Sequence, residues 1–339
     1  MEQEQQTPHK RRVRYKGKYP KKFEEKYKEL QPEKYQDTIE HVIKKGNTPA
    51  GMHISIMVQE ILDTLNIQPG ETGFDATLGY GGHTKAMLAC LNGQGHIYAT
   101  DVDPEESAKT KKRLEELGYG EDILTIRLQN FCTIDEIAKE AGGFDFVLAD
   151  LGVSSMQIDN PDRGFSFKVD GPLDLRLNPE KGISAAERLA QIGEGELAGM
   201  LWENSDEPYA EELAHAIVTE RKHGKPIDTT TRLREVIEET LSFLPEKEKK
   251  DTVKKTCQRT FQALRIDVNN EFEVLYEFME KLPGALKPGG RAAILTFHSG
   301  EDKLVKKALK QGYKEGVYSE IANDVVRPSA EECAQNGRA

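Results

Sequence analysis

The segment from Gly73 to His83 constrains the fold of this chain more than any other part of its 339 residues. A short apolar run ends there in Asp75, three glycines follow, and an amphipathic stretch continues from Thr84 to Leu91. This order predicts a strand, a tight turn and a helix, which together bring a nucleotide-like ligand against backbone amides. Glycine suits such a turn because it permits close approach and positive φ. The three glycines are Gly79, Gly81 and Gly82.

A second acidic residue supports a cofactor site at this turn. Asp101 ends the next predicted strand, twenty residues after Gly81, and an acidic residue at this distance commonly binds the hydroxyls of a ribose. A glycine-rich segment alone is equally consistent with a purely structural turn. The added carboxylate favours the interpretation as a cofactor site.

The residues around the turn favour S-adenosylmethionine over other nucleotide cofactors. A nicotinamide site has the pattern G-x-G-x-x-G without a preceding acid, whereas this chain has D-x-T-x-G-x-G-G-H beginning at Asp75. A carboxylate at that strand end attracts an ammonium or a sulfonium group, and S-adenosylmethionine carries both. The G-x-x-x-x-G-K-[ST] phosphate loop of ATP-binding proteins does not occur in the chain.

Hydrophobic periodicity predicts an α/β protein. After a helix from residue 53 to 65, strands and helices alternate, which is typical of a doubly wound parallel sheet with helices on both faces. The predicted strands cover residues 72–76, 96–101, 123–128, 144–150 and 291–297, and the predicted helices cover 84–91, 105–117, 133–141 and 270–286.

The alternation stops after Asp150, which predicts a second domain inserted into the sheet. The next hundred residues contain helical patterns at 185–192, 196–203, 208–223 and 231–243, with little that resembles a strand. We therefore expect an all-helical insertion that faces the carboxyl ends of the strands, where ligands bind. The expected parts are a basic, flexible extension (1–46), the first core segment (47–157), the helical insertion (158–259) and the second core segment (260–339).

Asp150 is the first candidate for catalysis. It ends an apolar strand from Phe144 to Ala149, so its carboxylate is expected in the cleft at the edge of the sheet. The alternative role for the Asp150 side chain is that of a helix N-cap. His298 ends the last predicted strand and is expected in the same cleft, with a hydrogen bond to the backbone as its alternative role.

Two further segments are rich in charged residues. The loop from Arg163 to Arg176 combines charges with aromatic residues, which favours a functional loop over one held only by internal salt bridges. The segment from Lys247 to Arg265 combines five lysines with a polar helix face. It could guide an RNA backbone or form a solvated face.

Six short motifs resemble the signatures of the RsmH (MraW) family of bacterial 16S rRNA cytosine-N4 methyltransferases. They occur in order between His53 and the last residues. The motifs are Gly79–Thr84, Asp150–Ser155, Arg163–Phe167, Gly171–Arg176, Thr260–Ile266 and Phe297–Ser299.

This resemblance implies a class I, Rossmann-like methyltransferase core with an inserted helical domain. It implies S-adenosylmethionine as the methyl donor and N4 of a cytidine in the decoding centre of the small ribosomal subunit as the acceptor. The family's donor-binding residues correspond to Gly81, Gly82, His83, Asp101, Phe131, Asp150 and Gln157. We add Asp75 and Gly79 from the turn itself.

An aromatic ring for the target base is expected outside the strand-end motif. Cytosine-N4 methyltransferases of other families carry D/N/S-P-P-Y/F at this position, whereas this chain has Asp150-Leu-Gly-Val. Phe165 or Phe167 is therefore the candidate for stacking. Together with Asp150 and His298, Phe165 completes the predicted catalytic set.

The chain departs from the family pattern at several positions. His53-Ile-Ser-Ile-Met57 lacks the family's proline, and Gly300 replaces a leucine. The family's final segment normally continues as a basic strand, whereas this chain ends at Ala339. The alternative hypothesis is therefore a paralogue that binds rRNA and the cofactor but is impaired in catalysis.

The net charge of −11 conceals two regions of opposite sign. Residues 1–46 contain 13 Lys and Arg against 8 Asp and Glu, and the remaining residues contain 34 against 50. The basic extension is interpreted as an arm that binds phosphates, with a solubilising tail as the alternative.

Composition excludes several classes of protein. The four cysteines include no C-x-x-C pair, so we expect no metal site and a reducing cytoplasm. The sequence has no signal-peptide pattern and no apolar run near the ~18 residues that span a bilayer. The expected partner is 16S rRNA in the small subunit, not a membrane. The oligomeric state stays open, with a homodimer as one alternative.

Overall fold

The computed structural model describes residues 55–335, apart from the side chains of Ser155, Glu331, Ala334 and Gln335. The predictions for the basic extension, and for the start of the helix expected from residue 53, lie outside the described residues.

Within residues 55–335, the strands form one five-stranded sheet with the order β3-β2-β1-β4-β5. All four neighbouring pairs are parallel. The winding reverses between β1 and β4, and in such sheets ligands bind in the crevice outside the carboxyl ends of the strands at the reversal. The strands are β1 (Thr72–Asp75), β2 (His96–Asp101), β3 (Leu124–Leu128), β4 (Phe144–Asp150) and β5 (Leu286–Leu295).

Helices connect and extend this sheet. Two single turns of 3₁₀ helix also occur, at Phe131–Thr133 and Pro161–Arg163. The α-helices are α1 (Val58–Leu65), α2 (Gly82–Leu91), α3 (Pro104–Glu116), α4 (Ile134–Ala141), α5 (Ser155–Asp159), α6 (Ala185–Gln191), α7 (Glu194–Ser205), α8 (Ala210–Lys222), α9 (Thr230–Thr240), α10 (Glu246–Asn269), α11 (Glu271–Ala285), α12 (Ser299–Lys314) and α13 (Ala330–Gln335).

The two faces of the sheet have separate hydrophobic cores, because alternate residues of a strand point to opposite sides. Phe146 and Leu148 of β4 face the core that α1, α2 and α3 cover. Phe74 of β1 and Val147 of β4 face the core that α4, α11 and α12 cover. The predicted doubly wound α/β fold is therefore confirmed.

A third core lies among helices α6 to α10. It contains Leu213, Ile237 and Cys257, all fully buried. Helix α10 continues past residue 259, and its Phe261 and Leu264 belong to the same core. This helical segment and the sheet belong to one compact unit. The boundaries at 158 and 259 remain a prediction.

Four helical segments lie outside the predicted helices: α5, the first half of α10, α12 and α13. The first half of α10 has one buried residue before Thr256, Val253, so apolar periodicity does not indicate a helix there. Helix α12 was not predicted, although Leu304, Val305 and Ala308 follow helical spacing. Its polar first turn, Ser299 to Asp302, directly follows the strand end and carries no apolar signal.

Candidate active site at the carboxyl edge of the sheet

Three strands end in an aspartate at the same edge of the sheet. Asp75, Asp101 and Asp150 are the last residues of β1, β2 and β4, and these strands are direct neighbours. The parallel register therefore brings the three predicted carboxylates together at the reversal of the winding.

The glycine turn between β1 and α2 adopts the left-handed backbone that the sequence predicts. Gly79 has φ +48° and Gly81, the N-cap of α2, has φ +80°. A β-carbon on Gly81 would lie 2.7 Å from Cγ2 of Thr110, and one on Gly82 would lie 2.0 Å from Oγ of Ser55. At Gly81 the positive φ and the Thr110 methyl group both disfavour a side chain, whereas at Gly82 the obstacle is the side chain of Ser55.

Asp101 is held in one orientation by the backbone. Its Oδ2 accepts a hydrogen bond from the Gly79 N–H at 2.8 Å, and its Oδ1 accepts one from the Asp103 N–H at 2.9 Å. Burial raises the pKa of Asp101 to about 6, in spite of these stabilising bonds. Each oxygen keeps acceptor capacity for a ligand hydroxyl.

Asp75 lies beneath the surface of the site, with 1% of its area exposed. It accepts hydrogen bonds from Oγ1 of Thr84 at 2.6 Å and from the Thr77 N–H at 3.1 Å. Burial raises the pKa of Asp75, and the nearby Asp150 raises it further while His83 lowers it. Asp75 therefore supports the glycine turn and acts on the site through its charge.

Asp150 and His83 face each other in the crevice. The distance from His83 Nε2 to Asp150 Oδ2 is 3.3 Å. Both His83 Nε2 and Asp150 Oδ1 are buried and have no hydrogen-bond partner among the described residues. Unpartnered buried polar atoms are rare, and here they lie where a ligand is expected. The Asp150 N–H donates to Oγ1 of Thr77 at 2.8 Å, and the N-cap of the following helix α5 is Ser154 and not Asp150.

Asp103 joins the predicted site residue Gln157 to Arg163 of the charged loop, and sequence reasoning missed it. It is fully buried and caps α3 through the N–H groups of Glu105 and Glu106. Its Oδ2 accepts hydrogen bonds from Gln157 Nε2 at 2.9 Å and Arg163 Nη1 at 2.6 Å. The dipeptide Asp103-Pro104 is a recognisable helix start and was the available signal.

Arg163 also holds the loop that leads into the helical segment. Its Nη2 donates to the carbonyl oxygens of Arg176 at 3.1 Å and Leu177 at 2.8 Å. Arg176 in turn pairs with Asp174 at 2.7 Å. Asp174 and Arg176 therefore neutralise each other within the loop, whereas Arg163 pairs with Asp103 outside it. Leu175, with φ +63°, is buried between Asp174 and Arg176.

The predicted aromatic residues are engaged in packing. Phe131 contacts Phe278 edge to face, with a centroid distance of 5.2 Å. Phe165 packs against the core of the helical segment, and the Arg163 guanidinium lies 5.8 Å from its ring centroid. Phe167 packs on Phe261 at 5.6 Å.

His298 lies in a separate polar cluster. It caps α12 by accepting a hydrogen bond from the Glu301 N–H, and its Nε2 is 3.2 Å from Glu301 Oε1. Its ring packs against Phe272. Ligand atoms of Glu271, His298 and Glu301 lie within 4.8 Å of one another. Arg265 donates to both oxygens of Glu271, at 2.8 and 2.9 Å, so the cluster has the composition of an ion-pair network.

Among the described residues, no helix combines the length and apolar character needed to cross a bilayer.

Comparisons with known proteins agree with this architecture. Residues 50–339 match the model of the MraW methylase family. The chain is 80% identical to ribosomal RNA small subunit methyltransferase H 1 of Agathobacter rectalis, over 99% of this chain and 96% of the relative. It is 37% identical to ribosomal RNA small subunit methyltransferase H of Acidobacterium capsulatum, over 85% of this chain and 95% of the relative. The chain therefore belongs to the MraW methylase family.

Proposed function

We propose that this protein is an S-adenosylmethionine-dependent methyltransferase that modifies N4 of a cytidine in the decoding centre of 16S rRNA. Family membership supports methyl transfer, and the relatives are named for the small-subunit rRNA. The observation that carries the proposal is the Asp150 Oδ1 atom, which is buried beside the glycine turn and has no hydrogen-bond partner among the described residues, while His83 Nε2 lies 3.3 Å from the other oxygen of this carboxylate.

The residues at the carboxyl edge fit the proposed donor. Asp101 presents two oriented oxygens for the ribose hydroxyls, beside the turn at Gly79, Gly81 and Gly82. Asp75 and Asp150 supply negative charge for a sulfonium or an ammonium group. Phe131 and Gln157 complete the proposed binding set carried over from the family resemblance. When bound, the donor supplies a methyl group that is already activated by positive charge.

Asp150 is the proposed acceptor of the target amine. The cytosine amine is a poor nucleophile because its lone pair is delocalised into the ring. By accepting an N–H hydrogen bond, the Asp150 carboxylate turns this lone pair toward the methyl group. Orientation of this kind can contribute ~7–11 kcal/mol to a reaction between two bound groups. The proton that N4 loses passes to Asp150 or to water.

The base reaches this crevice only when it is out of its stack. Helix α10 is a proposed RNA contact, because Lys247, Lys250 and Lys254 share one exposed face of it. Arg265 no longer belongs to this proposed surface, since it is paired with Glu271.

The test combines donor binding with methyl transfer. Isothermal titration calorimetry measures S-adenosylmethionine affinity, and transfer is measured on 30S subunits that lack the modification, followed by mapping of the methyl group on the rRNA. We expect micromolar donor binding and a methyl group on N4 of one cytidine. Binding without transfer would favour the impaired paralogue, and a methyl group on another atom would contradict the proposed acceptor.

A further inference from the structure

The ring of Phe297 lies beside the loop that carries Asp150. Strands β4 and β5 pair Asp150 with Leu295, and the Leu151 N–H donates to the Leu295 oxygen at 3.2 Å. Gly152 comes two residues after Asp150, and Phe297 comes two residues after Leu295. The Phe297 Cδ2 atom is 3.6 Å from where a β-carbon on Gly152 would lie, so the two segments remain neighbours past the strand ends.

The backbone holds Phe297 in place while its side chain stays exposed. Its N–H donates to Oε2 of Glu301 at 2.8 Å, and Glu301 is only 4% exposed. The next residue, His298, has an extended backbone and turns its ring toward Phe272. Successive side chains of an extended segment point to opposite sides. The Phe297 side chain is therefore directed away from that cluster, and 51% of it is exposed.

An exposed aromatic ring at this edge has a chemical use. A base that has left its helix loses its stacking partners, and an aromatic side chain restores one of them. Phe131, Phe165 and Phe167 are packed against other residues. Gly152, with φ +95°, puts no side chain next to the Phe297 ring.

We infer that Phe297 is the stacking platform for the target cytosine, and that it presents the exocyclic amine to Asp150. This inference rests on the proposed function, since it assumes that a cytosine enters the crevice. It assigns to Phe297 the role that the sequence analysis had given to Phe165 or Phe167.

The test replaces the ring without removing its apolar character. Phe297→Leu should lower kcat/KM for 30S subunits by about 5- to 150-fold, the range for losing one base–aromatic stack. Phe297→Trp should restore most of the activity, because it keeps a stacking surface. S-adenosylmethionine affinity should stay unchanged in both variants. Tyr313, 50% exposed on α12, offers a matched control, and Tyr313→Leu should leave kcat/KM unchanged.

The outcomes separate the inference from the proposed function. If wild-type protein methylates N4 of cytidine and Phe297→Leu does so with the same kcat/KM, the stacking role is wrong and the proposed function stands. If Phe297→Trp is as impaired as Phe297→Leu, the residue acts through packing and the inference is also wrong. If wild-type protein transfers no methyl group to cytidine N4, the proposed function itself fails.

Discussion

At the scale of single residues, the acidic side chains of the site have different environments and hence different roles. Asp75 is enclosed and bonded to its own turn, whereas Asp101 and Asp150 keep acceptor capacity toward the crevice. Burial disfavours the charged forms of Asp75 and Asp101 and raises the pKa of both carboxyl groups. Their protonation is therefore part of the binding chemistry.

Asp101 should make donor binding dependent on pH. Its pKa of about 6 exceeds the usual value near 3.9, so protonation below pH 6 removes an acceptor for the ribose. We expect S-adenosylmethionine affinity to fall as pH drops from 7 to 5. Asp101→Ala should weaken binding by ~2–4 kcal/mol at pH 7 and remove this dependence. Calorimetry across this range is the measurement.

The effect on stability has the opposite sign. A raised carboxyl pKa means that the folded protein binds this proton more tightly than the unfolded chain, so the contribution of Asp101 to stability falls as pH rises from about 4 to 6.

The control for the donor-binding measurement is Asp122→Ala, because Asp122 is an exposed carboxylate before β3 at the other end of the sheet. Equal donor affinity for Asp101→Ala and wild type would exclude the ribose assignment.

Asp150→Asn tests the proposed acceptor of the amine. The change keeps the shape of the side chain and removes its charge, so methyl transfer should fall by at least ~10²-fold, as expected for one preorganised electrostatic group. Single-turnover transfer to unmodified 30S subunits measures it. Asp145 lies at the other end of β4, paired with Lys287, and Asp145→Asn should retain the rate. A normal rate for Asp150→Asn would make Asp150 a structural residue.

At the scale of elements, the buried Asp103–Arg163 ion pair connects the carboxyl edge of the sheet to the helical segment. Asp103 caps α3 after β2, Gln157 belongs to α5 after β4, and Arg163 begins the loop that enters the helical segment. Three elements from different parts of the chain thus meet at one carboxylate. These hydrogen bonds hold α3, α5 and the loop at Arg163 in fixed positions relative to one another.

Arg163→Met should be strongly destabilising because it leaves the Asp103 carboxylate buried without its partner. We expect a loss of ~3–5 kcal/mol in the free energy of unfolding, measured by urea denaturation. Arg176→Met is the matched control, since the Arg176–Asp174 pair is partly exposed and should cost about 1 kcal/mol or less. A similar loss for both variants would mean that the buried pair has no special role.

Gly300 illustrates how two elements explain a departure from the family pattern. A β-carbon at residue 300 would lie 2.5 Å from Cζ of Phe272 in α11. The aromatic ring already occupies the space that the leucine of other family members would need. Glycine at residue 300 therefore fits the close packing of α12 against Phe272 of α11, next to the His298–Glu301 contact.

At the scale of the whole molecule, an acidic protein has to attract an anionic partner. Residues 10–28 contain ten Lys and Arg against two Asp and Glu, and α10 exposes Lys247, Lys250 and Lys254. Each phosphate that a cation neutralises releases counterions, so the salt dependence of binding reports the number of contacts.

Deletion of residues 1–46 should weaken binding to 30S subunits and reduce its salt slope, while donor affinity stays unchanged. The proposed donor-binding residues all follow Gly73, which is why donor affinity and binding to 30S subunits should separate. A triple change of Lys247, Lys250 and Lys254 to Ala is the companion variant, and each lost contact should reduce the slope by ~0.7–0.9. The arm has no role in binding if the shortened protein keeps both the affinity and the slope of the full chain.

Most of the sheet could be predicted because its signals are local. The strands that end in Asp75, Asp101 and Asp150 were placed within one or two residues of their observed bounds. Each is a short apolar run that ends at a polar residue, and the parallel order follows from the alternation with helices. The candidate cofactor residues at these strand ends follow from the same pattern.

The contacts that distinguish one polar residue from another depend on tertiary structure. Gln157 and Arg163 are both held by Asp103, which lies fifty-four and sixty positions earlier in the chain, and no sequence pattern indicates this shared partner. His298 and Phe297 are neighbours in sequence, yet the extended backbone turns one toward α11 and leaves the other at the crevice.

The sequence by itself determined the fold class, the edge of the sheet where the candidate site lies and the residue types that are present there. These properties follow from periodicity and from the covalent order of strand, turn and helix. Only the tertiary structure decided which charged groups are neutralised inside the protein and which remain open to a ligand. The physical reason is that desolvation and pairing depend on neighbours that are close in space and distant along the chain.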